Sequence, residues 1–254
     1  MDFVLLTALG VGAATLVGAL VGFVFKNISH RFSDIVLSFA AGVMLAAAVF
    51  GLIIPSVERG LEHGTPIALL MTVAGIFVGA VCLSLVDKLV PHLHGLVGAE
   101  PESHKNEGLN KVLLFVLAIA IHNLPEGIAA GVGIGSGDLN GGLVIAAGIA
   151  LQNIPEGMVI IAPMLAAGVS KRRTLMIAAL TGLVEVVGTL IGYLAVSIST
   201  VILPFALAFA GGTMLYVISD EMIPETHSHG SQRGATYALL GGFALMLCMD
   251  FLIG

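Results

Sequence analysis

Long apolar runs separated by short polar turns organise this chain from one end to the other. Stretches of about 20 apolar residues, the length that crosses a hydrocarbon layer of about 30 Å, recur at approximately 3–25, 35–55, 66–88, 111–135, 141–168, 174–198, 203–224 and 235–253. Most connections are short, and one longer polar loop is expected at about 89–110. The pattern predicts an all-α polytopic membrane protein of eight transmembrane helices, folded as a single transmembrane domain over residues 1–254. The first span follows Met1-Asp2 without a basic leader, and no clear small-x-small cleavage site precedes a soluble domain. It is therefore expected to remain as a membrane helix and not to be removed as a signal peptide.

Composition supports that picture. The chain is 57% hydrophobic and 10% charged, against about 25% charged in soluble domains. Its net charge of −6 and lack of a basic face exclude a nucleic-acid partner; the lipid bilayer is the expected surrounding. Cys82 and Cys248 lie in apolar segments and are expected as small core residues, without a disulfide or a CxxC metal motif. The basic residues set the orientation. With eight spans, Lys26, Arg31, Lys88, Lys105, Lys111, Lys171, Arg172, Arg173 and Arg233 fall on one side, and only Arg59 falls on the other. The positive-inside rule then puts both termini outside the cell (inner) membrane and the odd-numbered loops in the cytoplasm.

Two near-copies of one polar motif interrupt the apolar runs thirty residues apart: HNLPEG at His122–Gly127 and QNIPEG at Gln152–Gly157. Polar and ionisable groups are disfavoured inside a bilayer, so they usually mark an ion or substrate pathway. At about 100° per residue, His122, Asn123 and Glu126 share one arc of a helix, as do Gln152, Asn153 and Glu156. Consecutive spans run antiparallel, so the two arcs can face each other at mid-membrane. Pro125 and Pro155 lack an N–H and free the carbonyls of Ile121 and Leu151 as additional oxygen partners. Gly127, Gly131 and Gly135, with Gly182, Gly188 and Gly192 of the sixth span, form small-residue stripes. These stripes allow close approach of helices, and they are expected to let one helix group slide past another.

A third carboxylate, Glu185, lies in the sixth span. It can be a ligand or a protonated side chain bonded to a backbone carbonyl. The seventh span ends in SDEMIPETH, where Glu221 to Glu225 repeats the polar-x-x-Pro-Glu spacing. Asp220, Glu221 and Glu225 can belong to a pathway or to a solvated helix end. Glu126, Glu156 and Glu185 bring three negative charges together with no intramembrane Lys or Arg to answer them, so protons or cations must do so. One divalent ion leaves −1 and two leave +1, which fits two metals, or one metal and a proton. Mixed imidazole, carboxylate and amide donors suit Zn²⁺, Fe²⁺ or Mn²⁺ better than Ca²⁺, and the lack of thiolates disfavours Cu(I).

On HNLPEG, QNIPEG, the Glu185 span and SDEMIPETH, with AAGVMLAAAVFGLIIP as further support, the chain resembles the ZIP (Zrt/Irt-like protein) family of divalent metal transporters, and its bacterial GufA-type branch in particular. The resemblance implies eight helices in a 3+2+3 arrangement, with spans 1–3 and 6–8 as inverted repeats around spans 4 and 5. It also implies a binuclear metal site at mid-membrane, alternating access, and transport toward the cytoplasm. One site would use His122, Glu126, Gln152 and Glu156. A neighbouring site would use Asn123, Asn153 and Glu185, with Glu126 and Glu156 bridging. Many relatives carry His at the Gln152 position and some carry Asp at the Asn153 position, so a broader metal range than zinc alone is expected. Zinc comes first, with iron, manganese, cadmium and cobalt as further cargo and no prosthetic group. The oligomeric state stays open, a homodimer among the options.

The remaining histidines lie mostly on the cytoplasmic side. His92 and His94 form HLH, His104 follows, and His227 and His229 form HSH. Such pairs can bind a transition metal loosely, and a plain solvated loop accounts for them equally well. His63 is expected in an external loop and His30 in a cytoplasmic one. Two other classes of function use similar residues. An intramembrane metalloenzyme would commonly show HExxH, which is absent, and the repeated motif suits alternating access better. A proton-coupled carrier of an organic solute would call for basic or aromatic groups, yet the chain has no Trp, and Tyr193 and Tyr216 are poorly placed.

Overall fold

The computed structural model describes residues 2–24, 29–96, 107–198 and 200–253. Among these residues all regular structure is helical, which satisfies each segment's backbone polar groups internally, as a lipid environment requires. The elements are α1 (Asp2–Val24), α2 (His30–Ala46), α3 (Ile54–Gly60), α4 (Thr65–Leu96), α5 (Glu107–Gly135), α6 (Leu139–Ala166), α7 (Lys171–Ile198), α8 (Leu203–Val217), α9 (Ile223–His227) and α10 (Gln232–Ile253). A π-helical stretch, Ala47–Ile53, joins α2 to α3, and another, Ile218–Met222, joins α8 to α9. Each is followed by Ile-Pro, at Pro55 and Pro224. A proline cannot donate to the carbonyl four residues back, and the helical ladder loosens into π geometry before it.

Seven helical segments are long and apolar enough to cross a membrane: Phe3–Val24, His30–Gly60, Thr65–Val86, Leu139–Ala166, Lys171–Ser197, Leu203–His227 and Gln232–Ile253. Helix α5, 29 residues long with Pro125 inside it, is a further long helix and carries the first polar motif. Helix α4 continues to Leu96, past the apolar end expected near residue 88, so residues 89–96 extend a helix. His104 lies outside the described residues, as do the side chains of His63, His92 and His94. Helix ends follow local chemistry. The Ser29 hydroxyl accepts from the Phe32 N–H at 3.2 Å to cap α2, and Asp138 accepts from the Gly141 N–H at 3.1 Å to cap α6. The α5–α6 turn closes at Gly137, whose φ of 87° suits a residue without a Cβ.

Of these seven segments α6 is the most buried and α10 the least. The second polar motif thus sits on a well-enclosed helix. Helix α1 packs on α6 and α7, α5 on α6 and α7, α2 on α6 and α10, and α4 on α8. Glycines make these approaches close. A Cβ on Gly42 would overlap the Leu239 carbonyl of α10, and one on Gly242 would overlap Phe39 of α2. The same reciprocal pair recurs between Gly79 of α4 and Gly212 of α8. In lipid such seams hold helices by van der Waals contact, since apolar surface gains little from burial against apolar surface. Leu6, Leu70, Phe77, Leu180 and Phe251 point outward. Cys82 and Cys248, expected in the core, are free thiols on the outer surface. In a uniformly apolar helix a small residue suits the lipid-facing surface and the interior alike.

Candidate metal centre

Helices α5 and α6 present the two polar motifs to each other, and α7 and α1 close the sides. Asn123, Glu126, Gln152, Asn153 and Glu185 are fully buried, Glu156 is nearly so, and His122 is half-buried. The Gln152 Nε2 donates to Glu126 Oε1 at 2.7 Å, tying the motifs together. Glu185 gathers a second cluster. Asn123 Nδ2 donates to its Oε1 at 2.6 Å and Asn153 Nδ2 to its Oε2 at 2.5 Å. The same amides reach backbone carbonyls, Asn123 to Thr181 at 3.2 Å and Asn153 to Val11 at 3.3 Å. The Thr15 hydroxyl completes the set by donating to Glu185 Oε1 at 2.5 Å.

With each amide nitrogen committed to a carboxylate, the oxygens are left over. Asn123 Oδ1, Gln152 Oε1, Asn153 Oδ1 and Glu126 Oε2 are buried and accept from no donor. A buried acceptor without a partner costs about 1–3 kcal/mol, so four of them on the two facing motifs call for a partner that can serve several oxygens at once. A divalent cation is such a partner. Glu126, Glu156 and Glu185 are all buried, and no Lys or Arg occurs in residues 112–170 or 174–232. Among the described residues, no three His, Cys, Asp or Glu side chains gather into a metal-holding group by themselves. An ion at this place would therefore take amide oxygens as ligands as well as carboxylate and imidazole.

His122 lies at the edge of the cluster, where it shares a cavity wall with Glu156. Its Nε2 lies 2.7 Å from Glu221 Oε1, on the π-helical stretch after α8. A cavity of about 550 Å³ opens there, and its walls include His122, Glu156, Asp220, Glu221, Glu225 and Ser228. One residue of each motif, His122 and Glu156, thus shares this cavity with Asp220 and Glu221 at the acidic end of the seventh span. His227 bonds within its own neighbourhood, to the Ile223 carbonyl at 2.9 Å and the Thr236 hydroxyl at 3.2 Å. His229 Nδ1 lies 3.0 Å from Asp34 Oδ1, and its ring stacks on His30 at 5.0 Å. Sequence reasoning missed Thr15 and the Val11 carbonyl. A threonine in an apolar span carries no local signal, and nothing in α1 announces that it walls the site.

These features define a polytopic helical membrane protein built around a buried acid, amide and imidazole cluster. A profile described as ZIP Zinc transporter matches residues 100–250. The chain is 44% identical over 252 residues to the Zinc transporter GufA of Myxococcus xanthus, covering 98% of each chain. It is 39% identical over 245 residues to the Zinc transporter ZIPB of Bordetella bronchiseptica, covering 95% of this chain and 78% of that one. With the Zinc transporter ZupT of Chlorobaculum parvum it shares 33% identity over 247 residues, covering 92% and 91%. The chain belongs to the ZIP family, and within it to the GufA type. Membership makes it a transporter and not an enzyme.

Proposed function

We propose that this protein carries divalent transition-metal ions, zinc foremost, into the cytoplasm through a binuclear site at mid-membrane. The observation that carries the reading is the group of four donorless buried oxygens set among three carboxylates. His122, Glu126, Gln152 and Glu156 would hold one ion, and Asn123, Asn153 and Glu185 the other, with Glu126 and Glu156 shared. Two divalent ions against three carboxylates leave one positive charge, which the amide dipoles can accommodate. The relatives described above are all zinc transporters by name, which favours zinc. Imidazole, amide and carboxylate donors also admit Fe²⁺, Mn²⁺, Cd²⁺ and Co²⁺.

Helix pairing supports a 3+2+3 organisation. Helix α1 packs on α6 as α7 packs on α5, and α4 packs on α8 as α10 packs on α2. The π-helical break followed by Ile-Pro also occurs in both the second and the seventh spans. Alternating access is favoured by the cavities. The one that includes His122 and Glu156 opens at the α8–α9 end. A separate cavity of about 290 Å³ at the other end is lined by Glu58, Asp138 and Asp250 and includes none of the proposed ligands. On this reading the site is open to the cytoplasm, and Asp220 and Glu221 receive released ions first. His92, His94, His227 and His229 would act beyond them as loose acceptors.

Two experiments test these proposals. In proteoliposomes the wild-type protein should take up Zn²⁺ from outside, with Mn²⁺ as a weaker competitor. Gln152→His should raise the Zn²⁺ over Mn²⁺ preference about tenfold, because imidazole favours the metal higher in the affinity order. No metal uptake by the wild type under any gradient would refute the carrier. For topology, single cysteines at Ser170 and Ser231, in a background without Cys82 and Cys248, should resist an impermeant thiol reagent applied outside cells. Ready labelling of both would reverse the proposed orientation.

A further inference from the structure

Thr15 departs from the habit of most helical threonines, as Thr72 of α4 also does in pairing with Ser56 at 2.8 Å. Thr7, Thr181, Thr189, Thr213 and Thr226 each donate to a carbonyl three or four residues back in their own segment, the usual habit of a threonine inside a helix. Thr15 instead sends its hydroxyl across to Glu185 Oε1. The carbonyl four residues before it, Val11 O, accepts from Asn153 Nδ2. Helix α1 thus gives the site one donor and one acceptor, exchanging a bond within the helix for two across helices. Thr15 is fully buried, and its place is held by contact. A Cβ on Gly157 of α6 would overlap the Thr15 carbonyl, and Gly12 and Gly182 close α1 against α7 in the same way.

We infer that Thr15 is a positioning and selectivity residue of the metal site, holding Glu185 so that Asn123 and Asn153 turn their carbonyl oxygens toward the ion. The inference rests on the divalent-cation reading above. An amide can present either end, and its neighbours decide which. Glu185 accepts three donors, from Thr15, Asn123 and Asn153. This fixes both amide nitrogens, and Asn123 Oδ1 and Asn153 Oδ1 are the donorless oxygens that remain. Without the hydroxyl, Glu185 loses its anchor on α1 and its carboxylate can rotate. Either amide can then turn its nitrogen inward, and an N–H₂ group repels a cation that the oxygen would ligate. Mn²⁺, which depends more on oxygen donors than Zn²⁺, loses more.

The test compares Thr15→Val, Thr15→Ala and Thr15→Ser in proteoliposomes, with uptake normalised to assembled protein. Thr15→Val and Thr15→Ala should raise the apparent KM for Zn²⁺ about tenfold, the size of one lost buried hydrogen bond. Vmax should stay within about twofold and the Zn²⁺ over Mn²⁺ ratio should rise at least about threefold. Thr15→Ser, which keeps the hydroxyl, should restore both wild-type KM and wild-type metal preference. If the wild type transports zinc while Thr15→Val and Thr15→Ala keep its KM and preference, the positioning role is wrong and the carrier reading stands. A fall in Vmax or abundance at unchanged KM and preference would make Thr15 a packing residue, as would a Thr15→Ser variant no better than Thr15→Val. A wild type that moves no metal would defeat the carrier reading itself.

Discussion

Glu126→Ala and Glu156→Ala should each bring zinc uptake down to the level of empty liposomes. Glu126 is fully buried and accepts from Gln152 through Oε1, while its Oε2 has no donor. Its second oxygen is therefore free for an ion, and its charge is one of three that attract one. Alanine removes that charge and leaves the Gln152 amide without its acceptor, a structural penalty of about 1–3 kcal/mol. Glu126→Gln separates the two effects, because it keeps the shape and a hydrogen bond to Gln152 while removing the charge. It should fold with near-wild-type thermal stability and still fail to transport. For a site that holds two divalent ions, losing one of three carboxylates raises the residual charge from +1 to +2 in a low-dielectric interior. Equilibrium dialysis should accordingly show loss of the second zinc at least, and wild-type uptake by Glu126→Gln would end the assignment of Glu126 as a shared ligand.

Much of this site is legible in the sequence because a bilayer makes polar residues conspicuous. HNLPEG and QNIPEG stand out in spans that are otherwise apolar, and helical periodicity alone places His122, Asn123 and Glu126 on one face. The partners are harder to see. Nothing in the sequence directs Gln152 to Glu126, or both asparagines to Glu185, since these bonds depend on helix rotation and tilt set by packing. Thr15 is invisible for the same reason, as a threonine is common and cheap in a membrane helix when it bonds its own backbone. Cys82 and Cys248 show the converse failure: a small apolar residue is compatible with lipid or core, and only the packing decides. Helix length also exceeded expectation at α4, where residues 89–96, with His92 and His94 among them, continue the helix to Leu96. Hydropathy marks the bilayer boundary and not the helix end.

Gly131→Leu should lower thermal stability sharply and reduce zinc binding and uptake together. The sequence suggested a smooth sliding surface at Gly127, Gly131 and Gly135, so that a bulky residue would slow motion and spare binding. The structure places these glycines in a locked seam. A Cβ on Gly131 would overlap the Thr189 carbonyl and crowd the Tyr193 amide nitrogen, and one on Gly127 would overlap the Glu185 carbonyl. From the other side, Gly188 and Gly192 of α7 meet the carbonyls of Leu124 and Ile128 of α5. Backbone meets backbone at Gly127, Gly131, Gly188 and Gly192, while Gly135 meets the Val196 side chain, and backbone cannot step aside as the end of a flexible side chain can. Even Gly131→Ala should cost about 1–3 kcal/mol, the usual penalty for overpacking, and leucine more. Because Glu185 is part of this seam, forcing α7 away from α5 also pulls its carboxylate from Asn123. Gly241→Leu is the control, since a Cβ there meets nothing within 4 Å, and it should match wild type in melting, binding and uptake. Helices α5 and α7 should accordingly move as one piece, with any relative motion during transport placed at other interfaces. A Gly131→Leu protein with wild-type melting and full zinc binding but slow uptake would restore the sliding surface.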